Sequence, residues 1–95
     1  DLTEFIIRYP ESEYIDAVRE RLIFLRNLIA SSELDGAEYY MKRGAYLAAV
    51  NRANYVLKNI PNSTERERAL RILKEAYKQL GYDGYAEKIS SFEAN

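Results

Sequence analysis

A tyrosine, a glycine four residues later and an alanine five beyond that occur twice in this chain. Tyr40, Gly44 and Ala49 recur as Tyr77, Gly81 and Ala86, each pair 37 residues apart. Two Pro-containing breaks, "YPES" and "NIPNS", lie outside the paired segments. Between the breaks the apolar residues step by three and four, the spacing of one helix face. Val18, Leu22, Leu25 and Ile29 form one such stripe. Ala49, Ala53, Val56 and Ile60 form a second, and Leu70, Leu73, Tyr77 and Leu80 a third. No two-residue alternation is sustained, so the fold class is all-α. Gly44 follows Lys42 and Arg43, cations suited to the negative end of a helix dipole, and reads as a helix terminator. The segment "LGYDGY" supplies Gly81 as a C′ residue and Asp83 as the next N-cap. Thr64 with Glu67 has the spacing of a capping box.

A ring, a turn glycine and a small residue at this spacing are the tetratricopeptide (TPR) signature, whose period is about 34 residues. Ala37, Tyr40, Gly44, Tyr46, Ala49 and Pro61 fill its small, aromatic, turn, aromatic, small and terminal-proline positions. Tyr77, Gly81 and Ala86 repeat the central three. Paired antiparallel helices approach closely only where one presents Ala or Gly and the other a ring. Pro10 and Pro61 are 51 residues apart, half a repeat too many. The surplus falls in a stretch without proline, read as one long helix or two nearly collinear ones bent near Ser31–Gly36, reaching about 45–50 Å. The expectation is therefore a TPR-like helix-turn-helix solenoid with one extended linking helix. Residues 1–10 end a preceding repeat, 12–43 form the linking helix, 45–60 the second helix of a TPR, and 64–95 the final TPR. On this reading the chain is the C-terminal piece of a longer solenoid.

Composition closes off most chemistry. At 95 residues the chain is one domain. It has no Cys, His or Trp, which excludes disulfides, thiolate or imidazole metal ligands and His- or Cys-based triads. No apolar run nears membrane-span length and no signal peptide opens the chain. A net charge of −1 lacks the electrostatic attraction of a nucleic-acid binder. Glu33, Asp35 and Glu38 lack the glycine-bearing loop of a calcium site, so no metal and no cofactor is expected. An enzyme is not expected either.

The motifs "FIIRYPESEY", "RLIFLRN" and "AEYYMKRGAYLAAVNRANYVLKNIPNS" resemble the C-terminal half of the BamD (ComL) family of TPR lipoproteins. The likeness runs along nearly the whole chain and weakens after about Gln79. It implies a scaffold in the β-barrel assembly machinery, on the periplasmic face of the outer membrane. The implied partners are the POTRA domains of the barrel subunit BamA, with BamE and BamC as accessory lipoproteins. The family's lipid-bearing N-terminal cysteine and first repeats are absent from this sequence, so membrane attachment would come only through an anchor outside it.

Candidate partner-binding residues follow from the helix after Gly44. Ala48, Arg52, Tyr55 and Asn59 share a face opposite the Ala49/Ala53/Val56 stripe, and Arg and Tyr are the types that anchor interfaces. Arg52 has no carboxylate at i±3 or i±4, and no acid occurs from Tyr39 to Thr64. It pairs with an acid on the preceding helix, such as Glu33 or Glu38, or points to water, or else meets a carboxylate of another protein. The "NR" pair, Asn51 and Arg52, matches the position where the family carries its BamA-contacting arginine. The resemblance thus favours an Arg52–POTRA contact, with Arg43 as a second candidate. A second basic stripe of Arg68, Arg71, Lys74 and Lys78 reads as a solvated face, with an acidic partner loop as the alternative. The competing function is a peptide-binding TPR adaptor that uses its concave groove.

Overall fold

The computed structural model describes residues 15–93. The expected preceding repeat at 1–10, with Pro10, Phe5 and Ile6, lies outside the described residues. Four helices follow one another: α1 Ile15–Lys42, α2 Tyr46–Asn59, α3 Arg66–Gln79 and α4 Asp83–Glu93. No strand occurs among the described residues. Each helix packs on the next, and α1 also touches α3, the layered order of a TPR array. The fold is an all-α, TPR-like one.

Helix α1 runs 28 residues without a break, including through Gly36, and is about 42 Å long. It ends in a Schellman motif. The Gly44 N–H donates to the Met41 carbonyl at 3.2 Å and the Ala45 N–H to the Tyr40 carbonyl at 2.9 Å. Gly44 has φ +78, which a residue with a Cβ adopts only at a cost. The end of α3 repeats the arrangement. Gly81 N–H donates to Lys78 at 3.1 Å, Tyr82 N–H to Tyr77 at 2.8 Å, and Gly81 has φ +84. The 37-residue echo is therefore two copies of one turn, each closed on the carbonyl of a tyrosine.

Capping at the other ends differs from the sequence expectation. Helix α3 has Glu65 at its N-cap with no side-chain cap bond, so Thr64 and Glu67 do not form a capping box. The Thr64 N–H instead donates to Asn27 Oδ1 on α1 at 3.1 Å, and Ser63 Oγ accepts from the Glu65 N–H at 3.3 Å. A long-range bond to α1 has replaced the local cap. At α4 the carbonyl of Tyr82 accepts from Tyr85 and Ala86, so Tyr82 rather than Asp83 occupies the cap position. Asp83 lies in the first turn, where its charge suits the dipole.

The core is a seam of small residues with a few large ones set into it. Ala30, Ala37, Ala49, Ala53, Ala69 and Ala76 are fully buried, and Leu34, Val56 and Leu73 are the largest side chains fully enclosed. Tyr40, Tyr46 and Tyr77 are partly buried against this cluster. Alanine on both sides lets helix axes approach to the short end of the packing range, about 8 Å. Along α1 the burial begins only at Ala30. The expected stripe of Val18, Leu22 and Leu25 is half-buried and Ile29 is half-exposed. The reason is geometric: α2 is half the length of α1, and it covers only the second half.

Candidate functional site

The antiparallel α1–turn–α2 pair brings Glu33 opposite Arg52. Arg52 Nη1 donates to Glu33 Oε2 at 2.9 Å. Its guanidinium carbon also stands 5.8 Å from the centre of the Tyr40 ring. The Glu33 carboxylate beside it pushes the Arg52 pKa up. Of the two acids on the preceding helix that the sequence offered as partners, Glu33 is the one that holds it. The i±3/i±4 test missed the pair because the two residues are 19 apart in sequence and meet only through the Gly44 turn.

The Arg52 side chain stays 45% exposed, and Nη1 is the one nitrogen it commits to Glu33. On the same face Asn51, Tyr55 and Asn59 are exposed and Ala48 is half-buried. Tyr55 is 48% exposed, and the Asn59 side chain folds back to donate to the Tyr55 carbonyl at 3.0 Å. Arg43 directly follows the last residue of α1, with its guanidinium 4.8 Å from the Tyr39 ring centre. It is exposed there, and the Tyr39 ring beside it meets the Tyr40 ring, which Arg52 also faces, at 5.7 Å between centroids. Of the five candidates, Ala48, Asn51, Arg52 and Tyr55 come together on α2.

The structure also assembles a cluster that sequence spacing did not foresee. Arg68 on α3 meets three carboxylates. Its Nε donates to Glu38 Oε1 at 3.0 Å and its Nη2 lies 3.0 Å from Glu38 Oε2, a bidentate fork. Nη2 also donates to Asp35 Oδ1 at 2.6 Å, and Nη1 to Glu65 Oε2 at 3.3 Å. The hydrogen bonds that Arg68 donates to Glu38 and Asp35 drive its pKa upward. The same guanidinium holds the Glu38 carboxyl below its usual range. Arg68 is thus not part of a solvated stripe. It clamps α3 to α1, while Arg71 and Lys78 are exposed and Glu75 accepts from Gln79 at 3.0 Å. The three acids in the second half of α1 divide between two neighbours: Glu33 serves α2, and Asp35 and Glu38 serve α3. The signal available in the sequence was the acid-rich "SSELDGAEYY" preceding a run with no acid at all.

A groove of about 330 Å³ opens between the first half of α1 and the loop after α2. Ile23, Ile60 and Pro61 give it an apolar lining, and Arg26, Asn27 and Asn62 stand among its polar groups. The Asn27–Thr64 bond pins the loop that forms one wall. The terminal proline of the repeat, Pro61, therefore ends up lining a surface cleft.

Comparison with known proteins matches the sequence of this chain to a family of outer membrane lipoproteins. The family model described as YfiO, outer membrane lipoprotein, matches residues 1–91. The outer membrane protein assembly factor BamD of Vibrio cholerae is 34% identical over 88 residues, covering 93% of this chain and 36% of that protein. BamD of Neisseria meningitidis serogroup A is 40% identical over 78 residues, 82% of this chain and 29% of the relative. For Xylella fastidiosa BamD the identity is 37% over 81 residues, 85% and 28%. The chain spans about a third of the length of these relatives. A TPR-like helical array whose repeat turns, small-residue seam and sequence all follow one pattern belongs to the YfiO outer membrane lipoprotein family.

Proposed function

We propose that this chain is a non-enzymatic scaffold segment in outer-membrane β-barrel protein assembly, acting at the periplasmic face of the outer membrane. Its relatives carry the name outer membrane protein assembly factor. In this reading it binds a POTRA domain of the barrel subunit BamA, and the accessory lipoproteins BamE and BamC are further partners. The contact is made by the α2 face that carries Ala48, Asn51, Arg52 and Tyr55.

The observation that carries this reading is the state of Arg52. It is oriented by Glu33 through one nitrogen and remains half-exposed beside an exposed tyrosine. A guanidinium held in place by one carboxylate loses less freedom when it engages a second, so it suits a charge-assisted contact with an acidic partner. Tyr55 supplies rigid amphipathic area next to it.

Calorimetric titration of the chain with the membrane-proximal POTRA domain of its own BamA tests the reading. Arg52→Glu is expected to weaken binding at least tenfold. The charge-swapped pair Glu33→Arg with Arg52→Glu restores the internal ion pair but not the binding. Unchanged affinity in Arg52→Glu would sink the assignment of this face.

A further inference from the structure

We propose that the groove between α1 and the α2–α3 loop is a docking site for an acidic side chain of a partner protein with an apolar neighbour, received by Arg26. The inference deepens the scaffold reading and rests on it in one respect, that the occupant is a protein.

The chemistry of the lining points to this occupant. Its apolar part comes from Ile23, Ile60 and Pro61, and among the described residues no Asp or Glu lines the groove. Its polar groups are rich in donors. Arg26 is exposed and has no carboxylate partner among the described residues, unlike Arg52 and Arg68. The Asn62 carboxamide makes no hydrogen bond among the described residues. Asn27 spends its oxygen on the Thr64 N–H, and its Nδ2 donors remain. Asn59 spends one donor on the Tyr55 carbonyl and has a second. Unmet donors around one guanidinium, without an acid, match the acceptor-only carboxylate.

Size and rigidity agree with that choice. About 330 Å³ is at the small end of ligand cavities, enough for one or two side chains and not for a long peptide. The loop wall is fixed by the Asn27–Thr64 bond and by Ser63, which is buried and bonds the Glu65 N–H. The cleft is therefore formed before anything binds, which lowers the ordering cost of docking. Asn59 lies one helical turn beyond Tyr55 on the exposed face of α2, so the groove continues the Arg52 surface. A partner resting on Tyr55 would reach Arg26 without leaving the α1–α2 pair.

The test uses the intact 15N-labelled chain and two blocked peptides, acetyl-Ala-Glu-Leu-Ala-amide and its Gln counterpart, followed by side-chain amide signals of Asn27, Asn59 and Asn62. The Glu peptide is expected to give saturable shifts at these amides, with the Gln peptide binding at least fivefold more weakly. Arg26→Gln should erase the difference between the peptides, and Arg26→Lys should keep part of it, with helicity unchanged in both. Equal binding of the two peptides, or a preference that survives in Arg26→Gln, overturns the proposal. So does tighter binding of acetyl-Ala-Leu with a free C-terminal carboxylate, which would make the occupant a chain terminus. Because the peptides contain nothing of a POTRA domain, failure here leaves the Arg52 titration intact, and failure there leaves this one intact.

Discussion

Replacing Arg68 with methionine tests whether the three-carboxylate clamp holds the two repeats together. Methionine keeps the length and apolar stem and removes the charge. Exposed ion pairs contribute about 0.2–1 kcal/mol each. The bidentate Glu38 pair, on an arginine only 21% exposed, belongs near the top of that range. The Asp35 pair, with the acid 69% exposed, belongs near the bottom, and the Glu65 pair at i,i+3 contributes about 0.4 kcal/mol. Their sum is about 1.5–2 kcal/mol, and the three acids left facing one another add to the loss. A total near 2 kcal/mol lowers the melting temperature of a chain this size by about 8–16 °C. The assay is urea denaturation of both proteins at low salt and in 1 M NaCl, where the screening length falls to about 3 Å. The difference should shrink by about half at high salt. A loss under about 0.5 kcal/mol, or one equal at both salt concentrations, would refute the reasoning.

The same clamp has a pH signature. Glu38 has a lowered pKa in the folded chain, so its contribution is present above the unfolded-state value, about 4.3, and is lost as pH falls through the folded value. The stability gap between wild type and Arg68→Met, read by urea midpoints, should therefore narrow progressively once the pH falls below that unfolded-state value. The glycines separate by backbone. Gly44→Ala should cost about 1–2 kcal/mol from its positive φ alone, since an added Cβ meets nothing within 4 Å. Gly36→Ala, inside α1 with the same open space, should gain about 0.5–1 kcal/mol, and a thermal melt of each distinguishes the two signs. Ala53→Leu forces a larger side chain into the fully buried seam and should cost about 1–3 kcal/mol, measured by chemical denaturation. Tyr55→Ala should leave stability within about 0.5 kcal/mol while weakening POTRA binding about tenfold, read in the same calorimeter.

Local rules were written plainly in the chain. The glycines at 44 and 81, each four residues after a tyrosine, set two Schellman turns because only a residue without a Cβ takes that φ cheaply. Alanines and leucines at steps of three and four placed the α2 and α3 cores where they are found, because helical period alone decides which residues share a face. What tertiary structure decided was the pairing of charges and the ends of burial. Glu33 could be assigned to Arg52 only once the Gly44 turn had folded α2 back along α1. The Arg68 clamp depends on two contacts more than 29 residues apart in sequence. The Thr64–Glu67 spacing suited a cap, yet the Thr64 N–H found Asn27 instead, since a backbone donor takes whichever acceptor the packed chain delivers to it. Periodicity likewise marked Ile29 as core, but a face is buried only where another helix arrives to cover it. Spacing records what a segment does to itself. Which distant groups it meets is settled by the angles at which helices pack.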